Sequence, residues 1–181
     1  MGKKEILNSN DIKRILNRIA HEILEKNKDH KNLAIIGIHT RGVHIGKRIA
    51  DIIEKTENLS VPFGVIDINL YRDDISISPT HPVVKESNVP FNIEGKDIIL
   101  VDDVLYTGRT IRAALDEIMD LGRPGKVQLA VLIDRGHREL PIQANYAGKH
   151  LPTSRDEEVS VHLEESDKSE FVEILKTKKQ N

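Results

Sequence analysis

Apolar positions recur at helical spacing between Asn10 and Lys26, where Ile12, Ile15, Leu16, Ile19, Ile23 and Leu24 share one stripe and Asn10 stands as the expected cap. The short run Leu33–Ile38 is apolar throughout and has turn-forming residues on both sides, the pattern of a buried strand. A second helix is predicted over His44–Lys55 with Ile45, Ile49, Ile52 and Ile53 inward, and a second strand over Val61–Leu70. Further strands are predicted at Asp97–Asp102 and Lys126–Ile133, with a helix over Arg109–Leu121 between them. Strands alternating with helices predict an α/β fold, an open, mainly parallel sheet flanked by helices. Tyr71 to Lys96 carries Pro79, Pro82 and Pro90 and reads as one long loop. From Asp134 onward the pattern weakens to short strands, among them Val159–Leu163, and a charged tail.

Composition narrows the picture only at a few points. A chain of 181 residues supports one domain with a real core, and no linker divides it. Cysteine is absent, which excludes disulfides and thiolate metal sites and fits residence in the cytoplasm. No apolar run approaches a membrane span, and the N-terminus lacks the apolar stretch of a signal peptide. Ile6 also spoils a myristoylation pattern. With a formal net charge of −2, any nucleic-acid contact must come from a local basic patch. Three Phe, three Tyr and no Trp leave little for an aromatic base-stacking platform.

The chemistry concentrates in Ile98-Ile-Leu-Val-Asp-Asp-Val-Leu-Tyr-Thr-Gly-Arg-Thr110. An apolar strand runs into two acids, a short loop and a helix. In an open parallel sheet, ligands bind beyond the carboxyl ends of the strands. Thr107-Gly108-Arg109-Thr110 offers successive N–H groups at a helix start, an anion cradle in which Gly108 permits close approach. Phosphate would repel the Asp102 and Asp103 carboxylates, so they should face a neutral diol, such as a ribose, or a metal. Thr-Gly-x-Thr alone is mostly helix capping. The whole string is what singles this segment out.

The string resembles the PRPP-binding fingerprint of type I phosphoribosyltransferases. Together with Asp134-Arg-Gly-His-Arg-Glu-Leu-Pro-Ile142, it is similar to the family of bifunctional pyrimidine operon regulators and uracil phosphoribosyltransferases, over nearly the whole chain. The resemblance implies the type I phosphoribosyltransferase fold over residues 1–181, with a flexible loop at about 71–96 and a small hood at about 134–163. It implies conversion of uracil and PRPP to UMP and pyrophosphate, with Mg²⁺ carried by PRPP and no direct protein ligand. It also implies binding of pyrimidine-operon leader mRNA under control of UMP or UTP, and assembly as a homo-oligomer.

By the same resemblance, Arg41, Asp102 and Asp103 are expected to be catalytic. Substrate would be bound by Thr40, Arg41, Asp102, Asp103, Val104, Leu105, Tyr106, Thr107, Gly108, Arg109 and Thr110, with Arg135 and Val159 reading the base. Arg suits pyrophosphate because its fork pairs with two oxygens at once. Tyr71 and Arg72 open the long loop, which would close over PRPP. Tyr106 stands where purine enzymes carry an acid, which favours a pyrimidine. No catalytic role falls to His137. For RNA, the expected contacts are Arg14, Arg18, His21 and Lys26 on the first helix, with Arg138 and Lys149 from the hood. Ile142 and Gln143 make that stretch less basic than the resemblance leads one to expect. Two other readings stay open at this level: a uracil phosphoribosyltransferase without an RNA role, and an RNA regulator with vestigial catalysis.

Overall fold

The computed structural model describes residues 3–68 and 87–176. Five parallel strands form the main sheet in the order β3-β2-β4-β5-β6: β2 (Leu33–Ile38), β3 (Phe63–Ile66), β4 (Asp97–Leu105), β5 (Lys126–Asp134) and β6 (Tyr146–His150). Helices α1 (Ser9–Lys26) and α2 (Arg41–Glu57) cover one face, and α3 (Arg109–Leu121) covers the other. Because both faces are covered, side chains of one strand alternate between two cores. Ile99 and Val101 of β4 join α1 and α2, while Ile98 and Leu100 join α3. That is why these strands read as continuous apolar runs rather than as alternating ones.

A second, antiparallel sheet in the order β1-β8-β7 unites the two ends of the chain: β1 (Lys3–Asn8), β7 (Glu157–His162) and β8 (Phe171–Lys176), with the single turn α4 (Glu164–Asp167) between the last two. Of this sheet, only β7 falls within residues 134–163, the span expected for the hood. The first strand escapes periodicity because only Leu7 of it is buried. The charged tail conceals the central strand of this sheet, where Val172 is fully buried and Glu173 nearly so.

Helix boundaries shift for local reasons. The cap of α1 is Asn8: its side chain accepts from the Asp11 N–H at 3.0 Å, and the Asp11 carboxylate accepts from the Asn8 N–H at 3.1 Å. Helix α2 begins three residues before its expected start. A Cβ on Gly42 would lie 2.5 Å from the Val101 carbonyl, so only glycine lets the first turn of α2 rest against β4. Strand β4 runs on through Asp102 and Asp103 to Leu105, longer than its apolar run.

Part of the long loop is ordered structure. Val65 and Asn88 exchange two backbone hydrogen bonds at 2.8 Å, and Ile93 is buried against the α3 core with Val89 and Phe91 beside it. The Ser87 hydroxyl accepts from the buried Asp67 N–H and donates to Glu117 of α3. Tyr71 and Arg72 lie outside the described residues. Among the described residues, no helix is long and apolar enough to cross a membrane.

Gly42→Ala should lower stability by about 1–3 kcal/mol, the cost of forcing extra volume into a filled contact. Urea denaturation checks this, and an unchanged midpoint would show that α2 can lift away freely.

Candidate functional site

Two adjoining hollows open at the carboxyl ends of β2 and β4, where the sheet leaves the first turns of α2 and α3 uncovered. One, of about 290 Å³, is lined by Val104 to Gly108 with Thr110 and Ile111. The other, of about 230 Å³, is lined by His39, Thr40, Arg41, Ile68, Asp102, Asp103, Val104 and Thr110. They share Val104 and Thr110, so a ligand spanning them would meet a helix start at one end and carboxylates at the other.

The first hollow is shaped by Gly108, which sits at φ +96° immediately before α3. A side chain would strain this left-handed backbone, which turns the strand sharply into the helix. The first N–H groups of a helix have no partner within it, and they carry the positive end of its dipole. Thr107 Oγ1 accepts from the Arg109 N–H at 3.3 Å, which ties the turn together. This geometry suits an anion.

In the second hollow, Asp102 Oδ1 accepts from the Asp103 N–H at 2.9 Å, and Asp103 Oδ1 from the Val104 N–H at 2.7 Å. Burial pushes the Asp103 carboxyl up from its ordinary value, while the Val104 N–H and the Arg41 guanidinium act against that rise. Both carboxylates are thus anchored at the end of β4 by the backbone that follows them.

Arg41 opens α2 beside Thr40 and lines the same hollow. Its fork pairs with Asp167 of α4: Nη2 to Oδ1 at 2.8 Å and Nε to Oδ2 at 3.1 Å. The Asp167 carboxylate also accepts from the Leu163 N–H at 3.0 Å and from the Ser166 hydroxyl at 2.8 Å, and Arg41 holds it well below the usual carboxylate range. Arg48, two turns along α2, pairs with Glu165 and Glu170. The pyrophosphate-gripping Arg41 of the sequence reading is therefore seated by the far end of the chain. Asp167 carries no motif, and 126 residues of separation hide the pairing.

The base-reading pair divides. Arg135 is buried, with Nε donating to Thr153 Oγ1 at 2.9 Å, Nη2 donating to the Glu157 carbonyl, and its guanidinium 3.9 Å from the Tyr106 ring centre. It ties the turn at Tyr106 to Thr153 and to the start of β7. Val159 lies within β7, its side chain packed against the α1 and α2 core. A larger recess of about 740 Å³ opens beyond β5 and β6, with Leu140 to Gln143 and Leu151 to Pro152 in its walls. Arg109 pairs with Glu139 at 2.8 Å.

The basic residues expected to meet RNA do not form one surface. Arg18 donates to the Ala147 and Gly148 carbonyls, and Lys26 to that of Asn145, so both run along the β6 edge near Lys149. Arg14 stands exposed at the same end and pairs with Asp11. His21 turns the other way, into a groove between α1 and α2 that Lys13 and Lys55 also line. Arg138, expected to meet RNA from the hood, turns its guanidinium toward main-chain carbonyls and Asp134. No group of three or more His, Cys, Asp or Glu among the described residues could hold a metal ion.

The model of the phosphoribosyl transferase domain matches residues 2–165. The chain is 56% identical over 173 residues to a bifunctional protein PyrR of Deinococcus radiodurans, covering 96% of this chain and 94% of that one. With the protein of the same name from Pelotomaculum thermopropionicum it shares 58% over 175 residues, 97% of each. Among solved structures, a hypoxanthine phosphoribosyltransferase of Trypanosoma cruzi superposes with a TM-score of 0.72 at 16% identity, covering 97% of both chains. One from Staphylococcus aureus gives 0.69 at 20%, covering 98% of this chain and 93% of that one. At such identities the structures speak for the fold alone.

Asp167→Asn should lower stability by about 0.5–1 kcal/mol at neutral pH, the scale of a partly exposed ion pair. Because the folded carboxyl titrates below its unfolded value, the difference should be complete above about pH 4 and fade as the solution is acidified. Urea denaturation of both proteins across pH tests this, and a gap that widened in acid would contradict the pairing.

Proposed function

The chain belongs to the phosphoribosyl transferase family, in the branch of the bifunctional PyrR proteins, and from this we propose that it converts uracil and PRPP to UMP and pyrophosphate and binds pyrimidine-operon leader RNA in response to uracil nucleotides. The observation that carries the reading is the pair of joined hollows, an anion cradle sharing Val104 and Thr110 with a pocket of two carboxylates and an arginine. A 5-phosphorylated ribose with pyrophosphate at C1 has that order of groups: phosphate, diol, pyrophosphate.

In this reading the turn Thr107–Thr110 takes the 5-phosphate through backbone N–H groups and hydroxyls. Asp102 and Asp103 accept from the ribose hydroxyls. Arg41 and Thr40 stabilise the negative charge that collects on the departing pyrophosphate as the C1–O bond breaks and an oxocarbenium-like centre develops. Uracil N1 closes the new bond to C1 as its proton passes to solvent or to the leaving pyrophosphate. Positioning and electrostatics supply most of the rate, since no covalent step on the protein is needed. Mg²⁺ fits as an ion brought by PRPP: two carboxylates line the hollow, short of a protein cage, and the ion would add charge neutralisation at the pyrophosphate. In the same reading Arg135, beside Tyr106 of the turn, and Val159 of β7 read the base.

For RNA, the α1 and β6 ridge with Arg14, Arg18, Lys26 and Lys149 supports phosphate contacts, and His21 in the neighbouring groove adds a second donor set. Self-association is part of the same reading and is supported by Met119 and Leu121, the large apolar side chains exposed on α3. The setting is the cytoplasm, where PRPP and nascent RNA meet.

Labelled uracil with PRPP and Mg²⁺ should give UMP, and chelation of the ion should abolish the product. Arg41→Ala should lower kcat about a hundredfold or more while changing the KM for PRPP far less, because its contact strengthens as pyrophosphate leaves. Equal losses in both constants would remove that role. A gel shift with leader RNA should need UMP and weaken steeply between 50 and 200 mM salt, a range over which phosphate-dominated binding falls by orders of magnitude. UMP production without any shift would favour a plain phosphoribosyltransferase.

A further inference from the structure

Arg138 lies in the loop that follows β5, and its guanidinium is turned into the protein. Nε donates to the Ile142 carbonyl at 2.9 Å, and Nη2 meets Asp134 Oδ1 at 2.5 Å. Nη1 reaches the carbonyls of Tyr106 at 2.8 Å, Gly136 at 3.1 Å and Leu105 at 3.4 Å. Two of these acceptors, Leu105 at the end of β4 and Tyr106, lead straight into the phosphate turn, and Leu105 also accepts from the Arg135 N–H at 2.9 Å. The next carbonyl of that turn, Thr107, accepts from the N–H groups of Glu139 at 2.9 Å and Leu140 at 3.2 Å.

The consequence follows from peptide geometry. These peptides are trans, so the C=O of one residue and the N–H of the next point to opposite sides. Holding the carbonyls of Leu105, Tyr106 and Thr107 against the 136–142 loop turns the N–H groups of Tyr106, Thr107 and Gly108 away from it. Leu140 and Ile142 fill the space behind Gly108, each 3.4 Å from where a Cβ would stand. The hollow of about 290 Å³ is lined by the turn and the start of α3, with no residue of the 136–142 loop.

We propose that Arg138 is a positioning residue for the phosphate site, holding the turn's carbonyls from behind so that its N–H groups face a phosphate-bearing ligand. The inference rests on the functional reading above and gives the RNA-binding residue of the sequence reading a different task. A planar fork suits it, because one guanidinium must satisfy carbonyls in two directions and a carboxylate in a third. Asp134 fixes the fork and balances its charge: it also accepts from the Gly136 N–H at 3.0 Å, and its side chain is only 10% exposed. Lysine keeps the charge but has one nitrogen, which cannot reach all of these acceptors.

Calorimetry of UMP and of uridine with wild type, Arg138→Lys and Arg138→Gln tests the proposal. Both variants should bind UMP about ten- to a hundredfold more weakly, the factor for one hydrogen bond to a charged group, with uridine affinity changed less than twofold. A role in general stability alone would not single out the phosphate. If Arg138→Gln does not fold, Arg138→Lys carries the test. The second readout is leader-RNA affinity at saturating UMP against salt. A positioning residue leaves the slope of log K against log salt at the wild-type value, whereas a lost RNA phosphate contact lowers it by about one. Wild-type UMP affinity in Arg138→Lys, or the reduced slope, overturns the inference. Failure of the wild-type protein itself to bind UMP overturns the functional reading, and this inference with it.

Discussion

A backbone turn can present its N–H groups to an anion only when its carbonyls have partners on the opposite side. Between β4 and α3 that condition is met for three peptides in succession, through the Arg135 N–H, the Arg138 guanidinium and the N–H groups of Glu139 and Leu140. Gly108 adds the left-handed bend that lets the chain enter α3 at once. The turn is thus one layer of a two-layer device, and the second layer comes from the loop that follows β5. Without it the carbonyls would compete with an anion for the same space, and buried polar groups left unpaired cost about 1–3 kcal/mol each.

The opposite wall of the site depends on the ends of the chain. Strands β1, β7 and β8 form a small sheet, and its turn α4 carries Asp167 and Glu165, with Glu170 just before β8, to meet Arg41 and Arg48 on α2. Arg41 is therefore held in a bidentate pair before any substrate arrives. A pyrophosphate entering the hollow would compete for a fork already oriented by Asp167, so the seating limits how many rotamers must be searched. Arg135 links the two walls, stacked on Tyr106 of the turn and bonded to Thr153 and to the first residue of β7.

Much of this was legible beforehand where local physics governs. The stripe of α1, the buried runs of β2, β4 and β5, and the full span of α3 follow from periodicity, because both faces of the sheet are covered and the runs are apolar throughout. Local signals misled where tertiary contact sets the boundary. Asn8 caps α1 instead of Asn10 through its reciprocal bonds with Asp11. Helix α2 begins at Arg41 because Gly42 fits against Val101, and β4 continues through two acids because Asp102, Val104 and Leu105 go on pairing with β5.

What the amino-acid order determined alone was the parallel sheet and the place of the acids and the Thr-Gly-Arg-Thr turn on it, since hydrophobic period and strand-to-helix punctuation are properties of neighbouring residues. What only the tertiary structure decided was the service of charges far apart in the chain. Asp167 lies 126 residues from Arg41, and Arg138 lies about 30 from the carbonyls it holds. Arg18 and Lys26 look toward β6 while His21 looks toward α2. A charged side chain is long and flexible, and its partner is chosen by the folded surface that surrounds it. No spacing along the chain encodes that choice.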